Sequence, residues 1–314
     1  MNADNPIRVV LAADDGYSRP LAVTARSVAA NLSPGRSLEI FVLDMGISDA
    51  NKAAIRASLD LPRTRVIFVG DVGKAVEGLP TYGWFSTAAY GRLLIPDLLP
   101  EHVDRAIYLD SDVIVRHCLG ELYDKDFEGK VALAVPDMGA SFVCSPWGLA
   151  GWYEAGRSPS DFNFNSGMML LDLQAWRREG IGRAALEYAR TQHKLNLDQE
   201  SINATAGTRI GAVEPRWTLQ GEYFQRVCQL AMPYTNETIE AIGKDPWVIH
   251  YSLPTKPWQY RSDHPWTQEW FTYLEQTAYR GWRPSPPPFM TSLRWYAIQV
   301  FGPLLGVRRR FTGR

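Results

Sequence analysis

The chain has 314 residues, of which 46% are hydrophobic and 21% charged, and this is the composition of an ordinary globular protein with a large core. Its formal net charge of −1 provides no bulk attraction to nucleic acid, so we expect no nucleic-acid partner. Three widely spaced cysteines, no secretory signal and no apolar run of about 18 residues predict a cytoplasmic protein without a membrane span.

The first part of the chain alternates short apolar runs with helical segments. The predicted strands are residues 7–12, 38–43 and 65–69, and the predicted helices are residues 20–32 and 48–59. This alternation predicts a parallel sheet covered by helices, with ligands bound beyond the carboxyl ends of the strands. No glycine-rich dinucleotide motif or P-loop occurs, which argues against dehydrogenases and P-loop enzymes.

A buried strand, residues 106–109, ends in two acids, Asp110 and Asp112, and a second apolar run follows at residues 113–115. Carboxylates between core segments are costly unless their charge is compensated. Alternate residues of an extended segment can reach one ion, and hard oxygen ligands favour Mg²⁺, Mn²⁺ or Ca²⁺. Chance is the alternative explanation for such a pair.

A second acid pair in the chain provides an internal comparison. Asp124 and Asp126 lie among polar residues just before Glu128 and Gly129, where a solvated turn explains them. We therefore assign a metal to the first pair and none to the second.

Further polar segments accompany the later predicted elements. Residues 86–94 are predicted to be helical and carry Arg92, which either turns inward, to hold a phosphate or brace a carboxylate, or stays exposed. A strand at residues 131–135 is followed by a long loop at residues 138–160, and loops of that length are usually functional. The remaining predicted elements are a strand after residue 163, helices at residues 173–178, 183–192 and from residue 197, and a strand at residues 247–250.

Six segments resemble, in order, the motifs of one enzyme family. They are Ala12-Ala-Asp-Asp-Gly-Tyr17, Tyr90-Gly-Arg92, Tyr108-Leu-Asp-Ser-Asp112, Phe164-Asn-Ser-Gly167 with Trp176-Arg177, Asp198-Gln-Glu200, and the segment from His250 to Trp258. Over about residues 7–282 the chain resembles the retaining glycosyltransferases of family 8, and among them bacterial lipooligosaccharide galactosyltransferases and glucosyltransferases. The resemblance implies an α/β fold of the GT-A type, with a mixed, mostly parallel central sheet between helices, and residues 1–282 as the catalytic domain.

Carried over position by position, the resemblance implies the following site. Asp110, Asp112 and His250 would bind Mn²⁺, with Mg²⁺ as the alternative. The nucleotide and diphosphate of a UDP-sugar would contact Ala12, Asp14, Tyr17, Ser111, Ser252, Leu253 and Lys256. The donor sugar would lie among Arg92, Asn165, Gly167, Asp198 and Gln199, and the acceptor would meet Asp137 and Trp84. Catalytic roles would fall to Gln199, Asp198, Lys256 and Arg92.

The resemblance also places Gln199 beneath the anomeric carbon. Two routes to retention remain: attack on the face of the leaving group, with Gln199 as an electrostatic stabiliser, or two inversions through Asp198 or Glu200 as a nucleophile. We favour the first route, with Asp198 orienting the sugar and the leaving phosphate as the base. A simple helix start also explains the acids at positions 198 and 200.

Three positions depart from the family pattern. Gly16 stands where relatives often have a side chain that touches the nucleotide, and Glu200 replaces a second aspartate. Leu253 replaces a common glycine, which requires that its backbone have no positive φ.

The sequence thus predicts a Mn²⁺-dependent transferase that moves galactose or glucose from a UDP-sugar to a saccharide hydroxyl on a glycan or lipid-linked acceptor. The alternatives are a sugar-nucleotide pyrophosphorylase, whose Gly- and Lys/Arg-rich signature is missing after the first strand, and a catalytically silent sugar-binding module.

The last part of the chain, residues 283–314, is proline-rich and then basic and aromatic. Residues 289–314 contain five arginines and no acid. This composition predicts a peripheral anchor on the cytoplasmic face of an anionic membrane, and a helix docked on the core is the alternative.

Overall fold

A computed structural model describes residues 5–70, 72–79, 87–192 and 197–286. Its strands are β1 Ile7–Ala13, β2 Leu38–Asp44, β3 Thr64–Val69, β4 Arg105–Leu109, β5 Val113–Val115, β6 Ala132–Pro136, β7 Phe164–Asp172, β8 Ile210–Ala212, β9 Leu219–Gln220 and β10 Val248–His250. Its α-helices are α1 Ser18–Ala30, α2 Asp49–Ser58, α3 Val72–Ala75, α4 Ile95–Leu98, α5 Gly120–Tyr123, α6 Leu173–Glu179, α7 Ile181–Gln192, α8 Leu197–Ala206, α9 Arg226–Ala231, α10 Asn236–Lys244 and α11 Thr267–Leu274. Short 3₁₀ helices include Asp15–Tyr17, Thr87–Leu94 and Gly221–Phe224.

The central sheet has seven strands in the order β3-β2-β1-β4-β7-β6-β8. Strands β3, β2, β1 and β4 are parallel to one another, as the alternation of strands and helices predicts. Strand β7 is antiparallel to both β4 and β6, whereas β6 and β8 are parallel. The mixed, mostly parallel α/β architecture with helices on both faces is therefore confirmed.

Apolar clusters cover both faces of this sheet because successive strand residues point to opposite sides. Along β1, Val10 belongs to one cluster, while Val9 and Leu11 belong to the other. The seven residues of β1 are nearly all buried, which explains why a continuous apolar run rather than an alternating one forms this strand.

A second sheet, ordered β5-β10-β9, lies next to the end of β4. Strand β10 pairs antiparallel with β5, so that His250 faces Val113, one residue after Asp112. A third apolar cluster, which includes Trp270 of α11 and Tyr251, packs with this sheet. The three-stranded sheet thereby brings a histidine from late in the chain to the end of β4.

The loop at residues 138–160 contains no helix or strand, in agreement with the sequence prediction. It is closed at its base by the pairing of Phe142 with Phe162 and by a hydrogen bond from Val143 N to Asp161 O at 2.9 Å. Across the described ranges no helix is both long and apolar enough to cross a membrane.

Candidate active site

Asp110, Asp112 and His250 come together where β4, β5 and β10 meet, and they offer ligand atoms that all lie within 4.8 Å of one another. The backbone holds them there: Asp110 N donates to Gly167 O at 2.8 Å, and Tyr251 N donates to Asp112 O at 3.0 Å. The residues that the sequence predicts as metal ligands therefore form one cluster.

Each aspartate divides its two oxygens between a cationic side chain and the histidine. Asp110 Oδ1 lies 2.6 Å from Arg92 Nη2, and Asp112 Oδ2 lies 2.7 Å from Lys256 Nζ. The other oxygens, Asp110 Oδ2 and Asp112 Oδ1, lie 3.5 and 3.3 Å from His250 Nε2. One oxygen of each carboxylate therefore faces a common point beside the imidazole.

The surroundings of His250 fit a divalent cation. Its Nδ1 is buried and has no hydrogen-bond partner among the described residues. A Cβ on Gly167 would lie 2.2 Å from His250 Cε1 and 2.7 Å from Asp110 Oδ2, so only glycine leaves this cradle open. Burial lowers the pKa of His250, but Asp112 and Asp110 outweigh burial and raise it above its ordinary value. A positive charge is thus favoured at this point, and the donor set of two carboxylates and an imidazole suits Mn²⁺ or Mg²⁺.

Arg92 turns inward and connects the metal cluster with the next group of polar residues. Its side chain is 7% exposed, donates to Ser166 O and Oγ at 2.8 and 2.9 Å, and pairs with Asp198 Oδ2 at 3.0 Å as well as with Asp110. The guanidinium lies 4.4 Å from the centre of the Tyr108 ring. Burial lowers the pKa of Arg92, but the two aspartates outweigh it and raise the pKa, so the charge is retained. Arg92 therefore braces two carboxylates.

A second hydrogen-bonded group lies beyond Arg92. Gln199 Nε2 donates to Asp137 Oδ2 at 3.0 Å, and Gln199 Oε1 accepts from Ser166 N at 3.2 Å and from Asn165 Nδ2 at 3.3 Å. Asn165 Nδ2 also donates to Asp137 Oδ2 at 3.1 Å, while Asn165 Oδ1 accepts from Gly167 N at 3.0 Å. Four predicted site residues, from β7, α8 and the end of β6, are thus joined in one network that reaches the metal cluster through Gly167.

Asp198 and Glu200 point to different sides of α8. Asp198 is 4% exposed and faces Arg92 and Ser166, whose Oγ donates to Asp198 Oδ2 at 3.0 Å. Glu200 accepts from the Tyr188 hydroxyl of α7 at 3.2 Å. Because two residues turn a helix by about 200°, only the first acid shares a side with the polar network.

The turn after β1 reaches the same edge of the sheet. Ser111 Oγ donates to Ala12 O at 2.7 Å, which ties this turn to the two aspartates. Asp14 Oδ1 accepts from Tyr17 N at 3.0 Å, and the half-exposed Tyr17 ring meets Trp258 edge-on at 5.8 Å. Burial, together with Asp112 and Asp110, raises the pKa of Tyr17. The two segments therefore lie together beyond the carboxyl ends of β1 and β4, as their positions after neighbouring strands predict, and we call this region the cleft.

The segment after β10 borders the cleft at Asp112. Lys256 is 8% exposed, and its ammonium contacts both Asp112 and the backbone oxygen of Tyr251. Leu253 is not among the non-glycine residues with positive φ, so leucine is tolerated at this position as expected. Its side chain lies over Gly221, where an added Cβ would be 2.7 Å from Leu253 Cγ.

Glu222 and Ser166 are linked to the site by hydrogen bonds, although the family resemblance assigns a role to neither of them. Ser252 Oγ accepts from Gly221 N at 2.9 Å and donates to Glu222 Oε2 at 2.7 Å, which brings Glu222 to the cleft from a stretch without any motif. Ser166 lies inside a matched motif and contacts Arg92, Asp198 and Gln199. Trp84 lies outside the described residues.

The comparison pair of acids, Asp124 and Asp126, lies on the surface, in the turn that the sequence predicts. Asp124 is exposed and pairs with Arg36 at 2.6 Å, and Asp126 Oδ1 accepts from Glu128 N at 2.8 Å in a surface turn. Neither belongs to the one metal-ligand cluster found in the described part of the chain.

Comparison with known proteins gives a consistent result. The family model described as "Glycosyl transferase family 8" matches residues 8–262. General stress protein A of Bacillus subtilis is 26% identical over 288 residues, which cover 89% of this chain and 96% of that protein. The lipopolysaccharide 1,3-galactosyltransferase of Salmonella typhimurium is 25% identical over 237 residues, 72% of this chain and 65% of that enzyme. The crystal structure of the galactosyltransferase LgtC with donor and acceptor sugar analogs has a TM-score of 0.72 at 25% identity and covers 91% of this chain and 99% of its own.

Proposed function

The chain belongs to glycosyl transferase family 8, and on this premise we propose that it moves galactose or glucose from a UDP-sugar to a saccharide hydroxyl, with retention of configuration and with Mn²⁺ as its cofactor. Similarity to a lipopolysaccharide galactosyltransferase and to LgtC supports a glycan or lipid-linked acceptor.

The cluster of Asp110, Asp112 and His250 is the observation that carries this proposal. Two carboxylate oxygens and an imidazole face one point, and Gly167 keeps that point free of side chains. These three residues would hold the ion. When bound, Mn²⁺ supplies positive charge for the diphosphate of the donor.

Lys256 adds a second cation on the same side of the cleft. Its ammonium lies 2.7 Å from Asp112 Oδ2 and is nearly buried, so a diphosphate reaching this cluster would meet a poorly hydrated charge. Such a contact stabilises the charge that develops on a leaving group. Ala12, Asp14, Tyr17 and Ser111 would hold the nucleotide at the neighbouring turn.

Same-face transfer fits the hydrogen bonds of α8. Asp198 Oδ2 is held by Ser166 and Arg92, so a nucleophilic attack by that oxygen would first have to break an ion pair. Glu200 is bonded to Tyr188 on the other side of the helix. Gln199 is fixed by contacts at both ends of its carboxamide, which suits an electrostatic role with no reorganisation.

UDP release from a panel of UDP-sugars, with and without Mn²⁺, tests the proposal. We expect UDP-galactose or UDP-glucose to be hydrolysed slowly with Mn²⁺ and more rapidly when a glycoside acceptor is added. A pyrophosphorylase would instead form a sugar 1-phosphate from pyrophosphate and the UDP-sugar, and a silent binding module would release no UDP. Either result would contradict the proposal.

Asp110→Asn and Asp112→Asn should each reduce Mn²⁺-dependent UDP release by about 100-fold or more, because each removes a proposed ligand charge. Asp124→Asn is the matched control, since this exposed acid pairs only with Arg36 among the described residues. Wild-type rates at saturating Mn²⁺ in either site variant would contradict the metal assignment.

A further inference from the structure

Glu222 is a titratable residue of the cleft with no part in the proposed reaction. It lies in the 3₁₀ helix Gly221–Phe224, directly after β9, the strand that pairs with β10 through Gln220 and His250. Its Oε2 accepts from Ser252 Oγ at 2.7 Å, and Ser252 Oγ in turn accepts from Gly221 N at 2.9 Å. The carboxylate is therefore held at the segment that borders the cleft.

The other side of Glu222 borders Asp137. A Cβ built on Gly139 would lie 3.0 Å from Glu222 Cγ and 3.3 Å from Asp137 Oδ1, so both acids flank the same small space. Burial and the charge of Asp137 both raise the pKa of Glu222. Asp137 also accepts from Gln199 Nε2, which links this pair of acids to the proposed reaction centre.

Neither acid forms a direct ion pair with lysine, arginine or histidine among the described residues, and the charge of His250 acts on Glu222 only from beyond ion-pair distance. The hydrogen-bond donors to Asp137 and Glu222 are backbone amides, two carboxamides and one hydroxyl. Two carboxyl groups so placed cost free energy in the absence of a ligand. Because carboxylates only accept, a fitting ligand must bring hydrogen-bond donors.

We propose that Glu222 joins Asp137, the residue that the family resemblance already assigns to the acceptor, in binding the acceptor, and that Glu222 sets specificity for an acceptor with a hydrogen-bond donor next to the attacked hydroxyl. This inference rests on the proposed transfer reaction. On the acceptor, the group that donates this hydrogen bond is either a second hydroxyl or the ammonium of an amino sugar, because both can donate to a carboxylate. Gly139 leaves space for Glu222, because a Cβ at position 139 would lie 3.0 Å from Glu222 Cγ and require that side chain to shift.

The test compares wild type with Glu222→Gln, first in UDP-sugar hydrolysis and then with hexosides and the matching 2-amino-2-deoxyhexosides as acceptors. In Glu222→Gln we expect the kcat/KM for the acceptor to fall about tenfold more than the rate of hydrolysis. A tenfold change corresponds to the loss of one charged hydrogen bond. A larger loss with the amino sugars identifies an ammonium, and equal losses identify a hydroxyl. Gly139→Ala should also lower the acceptor kcat/KM, by raising the acceptor KM.

Glu214→Gln is the matched control, because Glu214 pairs with Arg216 on the surface. This substitution should leave the rates of both hydrolysis and transfer unchanged. Equal losses in hydrolysis and transfer by Glu222→Gln, or an unchanged acceptor kcat/KM, would overturn this role for Glu222 while leaving the transferase intact. A wild-type protein that releases no UDP would contradict the proposed function itself, and with it this inference.

Discussion

Arg92 is the residue at which charge compensation in the cleft converges. It contacts Asp110, Asp198 and Ser166 while nearly inaccessible to solvent. Two neighbouring carboxylates taken by themselves repel each other, so the removal of one would be expected to relieve that repulsion. In the structure, however, Asp110 pairs with Arg92 and Asp112 pairs with Lys256, so removal of either aspartate would take an ion-pair partner from a buried cation. The cleft is therefore a set of mutually dependent charges even without a ligand.

Arg92→Lys should destabilise the fold, since lysine has a single ammonium and cannot contact both aspartates and the Ser166 carbonyl in the fork geometry of arginine. Breaking one buried pair costs about 3–5 kcal/mol, and with one contact retained we expect a loss of about 2 kcal/mol in the free energy of unfolding. Urea denaturation measures it. Arg65→Lys, whose side chain is 74% exposed, should change the same quantity by less than about 0.5 kcal/mol. Equal stabilities of the two variants would contradict this account.

Gly167→Ala tests the open cradle beside His250. The new Cβ would lie 2.2 Å from His250 Cε1, so the imidazole must move away from the two aspartates. For wild type, Mn²⁺ at 100 times its Kd should add about 2.7 kcal/mol to the free energy of unfolding, which thermal denaturation detects as a raised Tm. In Gly167→Ala this shift should disappear.

Gly70→Ala is the control for this substitution, because its added Cβ would have no atom of the described residues within 4 Å apart from its chain neighbours. Its Tm should rise with Mn²⁺ as in wild type. An undiminished Mn²⁺ shift in Gly167→Ala would show that the ion, if bound, lies elsewhere.

At the scale of elements, local patterns predict most of the fold. Apolar runs in the sequence predict β1 and β2 to within one residue at each end, and both strands are largely buried. Ser48 predicts the start of α2, where its side chain accepts from Asn51 N at 3.3 Å. The antiparallel direction of β7 was not readable from its sequence, because a strand buried on both faces reads the same in either direction. Its place depends instead on long-range pairing with β4 and β6.

Local sequence likewise predicts some residues of the candidate site and not others. Asp110 and Asp112 were readable as charges that interrupt an apolar run, and Arg92 as an arginine with two possible orientations. His250 and Gln199 entered only through family resemblance, because a histidine at a strand end and a glutamine in a helix have ordinary structural explanations. Glu222 gave no signal, since its neighbours Asp137 and Ser252 are far away in sequence.

The start of α8 carries the mechanistic prediction. If Gln199 acts through its fixed carboxamide, then Gln199→Ala should be slower but measurably active, whereas removal of an essential nucleophile usually costs several orders of magnitude. Mass spectrometry of the wild type during turnover should find no hexose on residues 198–200. A hexose adduct on Asp198 or Glu200 that forms on the turnover timescale and is removed by acceptor would establish the two-step route instead.

At the scale of the whole molecule, the last described residues pack against helices α1 and α2. Tyr279 donates its hydroxyl to Asn51 Oδ1 at 2.8 Å, and the Arg19 guanidinium lies 3.8 Å from the centre of the Trp282 ring. Trp270 of α11 is fully buried in the third apolar cluster. Removal of residues beyond 286 leaves all of these contacts in place, so the shortened chain should fold.

The predicted membrane anchor at residues 289–314 lies outside the described residues and stays a proposal. Its five arginines and its aromatic side chains should bind anionic lipid headgroups, with each basic residue worth about 1 kcal/mol near such a surface. Full-length protein should therefore float with vesicles that contain phosphatidylglycerol, float much less with phosphatidylcholine vesicles, and be released by high salt. The chain truncated after residue 286 should stay at the bottom of the gradient while it hydrolyses UDP-sugar at the wild-type rate, because the proposed site lies within residues 12–256. Equal flotation of the two proteins, or no flotation of either, would contradict the anchor.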